Sequence, residues 1–160
     1  MAIETMIETI DELCRIHKQL LAVSEEKTAA IVEGDMDRLQ KMLIKERKLI
    51  QNLEQAEKQR AKAAEDYAQA QGLKESTVTA ILEQLPGGVE QEKLEAATVK
   101  LAEQLADLRY KEQGNKELLQ QSMQFVQYSL SLMNPSIDKM NYGAKKPKKP
   151  GNLSVFDSKA

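Results

Sequence analysis

Few side chains in this sequence have the chemistry for covalent or metal work, and the first pair to weigh is Cys14 and His17. Three residues apart on a helix, a thiolate and an imidazole share one face and can reach one metal ion. A closed zinc site needs four such donors, and the chain has no second Cys and no second His. His17 therefore reads as a polar position inside an apolar stripe. A phosphate-binding loop places its glycines ahead of a Lys-Ser/Thr pair, whereas Pro86-Gly87-Gly88 follows a helical stretch and lacks that pair. Ser/His/Asp catalysis needs a concave site, which a thin helical bundle offers poorly. The expectation is a protein that is not an enzyme, with no catalytic residue, no metal and no cofactor.

What the side chains can do is recognise apolar surface. From Leu118 to Met133 the sequence reads LLQQSMQFVQYSLSLM. At about 100° per residue, Leu119, Met123, Val126, Leu130 and Met133 form one stripe, and Leu118, Phe125, Tyr128 and Leu132 a second. Gln120, Gln124, Gln127 and Ser131 separate them on one side, Ser122 and Ser129 on the other. One stripe suffices for packing on a bundle, and the first stripe prolongs a seam that starts at Leu94. The second stripe, Leu118, Phe125, Tyr128 and Leu132, is then a partner-binding face. Its occupant is a short helix of the same bundle, a client helix read through i, i+3, i+4 anchors, a second copy in a homo-oligomer, or the protein's own tail.

Long helices must position that face. Ile3 to Glu33 carries an apolar row of Ile3, Met6, Ile7, Ile10, Leu13, Cys14, His17, Leu20, Leu21 and Ile31, with the three-four spacing of a coiled-coil seam. Asp11 and Arg15 are placed for an i,i+4 pair on its wet side. Gly34 can end that helix and Asp35 can cap the next, which then turns back and runs to about Gln71, the alternative being one continuous kinked helix. Met36, Leu39, Leu43, Ile50, Leu53, Ala56, Ala63, Ala64, Tyr67 and Ala70 mark its inner side. A short third helix follows, capped by Ser76 and carrying Val78, Ile81, Leu82 and Leu85. After Pro86-Gly87-Gly88 the last helix runs from about Glu90 to Met133, where Asn134-Pro135 stops it. Its seam is Leu94, Ala97, Thr98, Leu101, Leu105 and Leu108, interrupted by Glu112 and Asn115. Polar seam residues either fix register or mark a place where helices part. Residues 112–115 thus read as a junction between a bundle-forming half and a client-facing half.

The fold class is all-α: an elongated antiparallel helical bundle or coiled coil of three long helices and one short one, with an extended C-terminal tail. The domain reading is a bundle over 1–134 and a basic tail over 135–160. The run Lys145-Lys146-Pro147-Lys148-Lys149-Pro150 resists helix formation and collapse, and reads as a solvated spacer. Beyond it Leu153, Val155 and Phe156 form a candidate short linear motif. Composition agrees, with aromatics at 4% and charged residues at 30%, as long helices rather than a thick core would have. A net charge of −2 argues against a nucleic-acid partner. A lone Cys14 forbids an internal disulfide and fits a reducing compartment. No apolar run reaches the roughly 18–20 residues of a membrane span, so stable membrane insertion is not expected. The acidic start MAIETMIETIDELC lacks the basic opening of a signal peptide, so the expected location is the cytoplasm.

Three stretches carry a family likeness: LLAVSEEKTAAIVEGDMDRLQKMLIKERKLIQNL from Leu20 to Leu53, NKELLQQSMQFVQYSLSLM from Asn115 to Met133, and Asn141-Tyr142-Gly143 with the terminal VFDSKA. On these the chain resembles the FlgN family of flagellar export chaperones, in its Bacillus-type form. The stretch from Lys58 to Leu94 matches only in helical character. The resemblance implies long antiparallel helices and a cytoplasmic role in type III export. It implies binding of the C-terminal helical segments of the hook–filament junction proteins FlgK and FlgL, which are kept unassembled for delivery to the export gate component FlhA. The family binds clients through its C-terminal part, which falls here on Leu118 to Met133. Tyr142 becomes a candidate for docking the gate. The alternative is a structural coiled-coil adaptor that homo-oligomerises and has no secretion client.

Overall fold

The computed structural model describes residues 2–133, and all their regular structure is helical. The order is α1 (Ala2–Glu33), α2 (Met36–Ala70), α3 (Val78–Gln84) and α4 (Val89–Met133). The chain divides after Gln113 into two units, so that α4 begins in the first and ends in the second. That division falls within 112–115, the stretch read as a junction. Tyr142, Leu153, Val155 and Phe156 lie outside the described residues.

Local chemistry explains the breaks. After α1, Gly34 adopts φ +71°, a left-handed conformation that only glycine reaches without cost. Its N–H donates to the Ile31 carbonyl at 3.2 Å and that of Asp35 to the Ala30 carbonyl at 2.9 Å, closing the helix end by the two-bond glycine cap. Asp35 then starts α2, its carboxylate accepting from the Arg38 N–H at 3.1 Å. The same cap recurs at Gly72, φ +71°, after α2. One expected cap moves: Thr77, not Ser76, accepts from the Ala80 N–H at 3.2 Å and opens α3. Arg15 likewise pairs with Glu12 at 2.5 Å rather than with Asp11, since the i,i+3 geometry accepts both guanidinium nitrogens.

Within the first unit α1, α2 and α4 form a three-helix bundle. At one end Ile3, Met6, Ile10 and Cys14 of α1 meet Ala64 of α2, Ile81 of α3, and Leu94 and Ala97 of α4. Further along, Leu13, Ile16, Leu20 and Val23 meet Leu49 and Ala56, with Leu101 and Leu108 packed against them. Helix α2 therefore runs antiparallel to α1, and α4 runs back alongside α1. The short α3 plugs the first end, with Ile81 fully buried.

The seams differ in detail from the expected rows. On α2 the buried side holds Leu39, Met42, Glu46, Leu49, Leu53 and Ala56 at strict three-four spacing, and Met36, Leu43, Ile50 and Ala70 are exposed. On α1, Ile16, Val23, Ser24, Lys27 and Ala30 are buried, whereas Leu21 and Ile31 are only half-buried. On α4, Leu105 faces outward and Gln104 turns a buried side-chain oxygen inward. Apolar character alone placed Leu43, Ile50 and Leu105 inside; the heptad register, which decides facing, places Met42, Glu46 and Gln104 there.

Candidate functional site

The second stripe is open. Phe125 is 70% exposed, and Tyr128 and Leu132 are each 64% exposed, whereas Leu118 is half-buried. The first stripe departs from expectation. Met123, Val126, Leu130 and Met133 are exposed too, and only Leu119 is half-buried. Read as seam residues of the bundle, they are buried by nothing among the described residues. An apolar row identifies a face able to pack, and burial also requires a neighbour at that height. Seven large apolar side chains thus lie bare within residues 123–133. Single exposed apolar residues need no explanation, but a run of seven marks a surface for apolar contact.

At the far end of the first unit a polar cluster joins all three long helices. Lys27 Nζ sits 2.5 Å from Glu46 Oε2 and 2.9 Å from Glu112 Oε1. Ser24 Oγ donates to the other Glu112 oxygen at 2.7 Å. Glu112 is therefore the register-fixing kind of seam residue, and the helices do not part there. Burial opposes the Lys27 ammonium, but the two carboxylates outweigh it and hold its pKa above the ordinary lysine value. Burial raises the pKa of Glu46, an effect that Lys27 opposes and the neighbouring Glu112 carboxylate reinforces. Apart from Glu112, this cluster escaped the sequence reading because Ser24, Lys27 and Glu46 look like wet-side residues. The signal was spacing: Leu20, Ser24 and Lys27 continue one three-four row, and Glu46 falls between Met42 and Leu49 in another.

Cys14 and His17 do not converge on a common point. His17 Nδ1 donates to the Leu13 carbonyl at 2.9 Å, and the Cys14 thiol lies 3.9 Å from the Ala97 carbonyl. Burial pushes the Cys14 thiol up, away from the thiolate that binds metal. Among the described residues no group of three or more His, Cys, Asp or Glu side chains is placed to hold a metal ion. No helix among them is long and apolar enough to cross a membrane.

Comparison with known proteins bears on this arrangement. The family described as FlgN protein matches residues 1–150. The chain is 32% identical over 164 residues to the uncharacterized protein YvyG of Bacillus subtilis (strain 168), covering all of both chains. No solved structure matches it. A chain whose described regular structure is all helical, matched by one family along nearly its whole length and by a full-length relative, belongs to the FlgN family of flagellar export chaperones.

Proposed function

We propose that the last turns of α4 hold the C-terminal helical segments of FlgK and FlgL in the cytoplasm and keep them unassembled until the chain delivers them to the export gate through FlhA. The observation that carries this reading is the bare apolar surface of residues 123–133. A client helix with anchors at i, i+3, i+4 and i+7 complements Leu118, Phe125, Tyr128 and Leu132, which are themselves spaced by seven, three and four. The action is masking: client surface that would self-associate is covered by this face and released later. Tyr142 remains the candidate for docking the gate.

Calorimetry with a peptide of the FlgK C-terminus tests the assignment. Burying an apolar side chain is worth roughly 1.5–3 kcal/mol, so Phe125→Asp with Leu132→Asp should weaken binding about 100-fold or more, with helicity by circular dichroism unchanged. Unchanged affinity would remove the site. Light scattering tests the role: a permanent homo-oligomer, indifferent to the peptide at every concentration, would favour the adaptor reading instead.

A further inference from the structure

The client site uses one stripe near the end of α4 and leaves the other without an occupant. Leu119, Met123, Val126, Leu130 and Met133 follow at intervals of four, three, four and three, the spacing of a two-helix seam. Leu118, Phe125, Tyr128 and Leu132 lack that unbroken alternation. By helical angle the two stripes are centred roughly 135° apart, so one bound helix cannot cover both. Met123 is 41% exposed, Val126 54%, Leu130 60% and Met133 79%, and only Leu119 is half-buried. A nearly complete coiled-coil seam therefore stands open.

Charge, or its absence, selects the occupant. Residues 118–133 contain no Asp, Glu, Lys or Arg, in a chain where these make up 30%. Seams that choose an unlike partner carry charges beside the apolar row to attract it and reject others. Here the positions beside the row are Gln120, Ser122, Gln127 and Ser129. A copy of the same helix therefore meets no like charge, whichever way it runs. Nor does the net charge of −2 set up strong repulsion between whole chains.

We infer that the first stripe is a homodimer seam: a second copy of the chain packs its own Met123, Val126, Leu130 and Met133 against these, while the second stripe of each copy remains open to a client. The chain's own residues 134–160 match the row less well. Their large apolar residues are Ile137, Met140, Tyr142, Leu153, Val155 and Phe156, and no more than two of them in succession keep the three-or-four spacing. A second copy supplies the whole row. Five side chains along about 21 Å of helix make an interface at the small end of the specific range, so the dimer forms and parts with concentration.

Sedimentation equilibrium of the full chain, from about 5 to about 500 µM, tests the seam, with a dissociation constant expected in the micromolar range. The mass should climb from 18.0 kDa towards twice that value. Val126→Glu/Leu130→Glu and Val126→Lys/Leu130→Lys should each weaken dimerisation about 100-fold or more, because like charges then face each other across the seam. An equimolar mixture of the two variants should dimerise again, which a misfolded variant could not do. Phe125→Asp/Leu132→Asp should leave the mass curve unchanged. A monomer at every concentration, a glutamate variant that dimerises like the parent, a mixture that stays monomeric, or a dimer lost in Phe125→Asp/Leu132→Asp overturns the inference. So does dimerisation tightened about tenfold by Leu153→Ser/Val155→Ser/Phe156→Ser, which would make the tail the occupant. The FlgK peptide at saturation should leave the dimer intact, and a peptide that dissociates it would make the client the occupant and overturn the seam. That last arm alone rests on the client site: a peptide that does not bind counts against that site, while the mass curves still decide the dimer.

Discussion

The two ends of α4 are built from similar residues and meet opposite surroundings. Near its start Leu94 and Ala97 are buried among Met6, Ile10 and Ile81. Near its finish Leu130, Leu132 and Met133 are exposed. In the first region each apolar side chain contributes transfer free energy and close contacts to the fold. In the second, the same residue types contribute little to the fold and carry the aggregation hazard of bare apolar surface. On the function proposed above, that surface is retained because its stabilisation is realised only when a client arrives.

Substitutions can break or sharpen that contrast. Leu94→Ala should cost about 3–4 kcal/mol, measured by urea unfolding, because the side chain is fully buried and leaves a cavity. A loss below about 1 kcal/mol would erase the difference between the two ends. Lys27→Ala should cost about 3 kcal/mol, since it strands two carboxylates that share one cation. The lower end of the usual range applies, as the Glu112 side chain is 39% exposed.

A pH series sharpens the same cluster. Glu46 has its pKa raised above 4.5 in the folded chain, so the folded state holds that proton more tightly than the unfolded state. Its favourable contribution is complete below about pH 4.5 and is lost as pH rises through the raised value. Glu46→Gln has no such proton to lose. Its stability relative to the parent chain should therefore improve between pH 4 and pH 7, and a flat difference would show that Glu46 titrates normally. The smallest effect belongs to the exposed end: Leu132→Ala should shift stability by no more than about 0.5 kcal/mol. A larger loss would mean that this segment packs on something.

Much of the architecture was legible without coordinates, for local reasons. Gly34 and Gly72 end helices because a left-handed residue closes the last carbonyls, and Asp35 starts one because its carboxylate accepts an orphan N–H. The spacing separated Phe125, Tyr128 and Leu132 from Met123, Val126, Leu130 and Met133, yet all seven are exposed. Less legible were positions where type and location disagree. Lys27 and Glu46 are charged yet lie in the seam, whereas Leu43, Ile50 and Leu105 are apolar yet face out. Each of these five misplacements comes from weighting hydrophobicity over register.

The sequence by itself determined the helices, their breaks, and the presence of more apolar surface on α4 than one seam can use. These follow from backbone geometry and side-chain periodicity, which act over a few residues. The tertiary structure alone decided which neighbours each face meets. It gave Lys27 its two carboxylates from helices 19 and 85 residues away in the chain, and left both stripes of residues 123–133 bare. Burial depends on what lies opposite a residue, and nothing in the residue's own neighbourhood of the chain encodes how far a partner helix reaches.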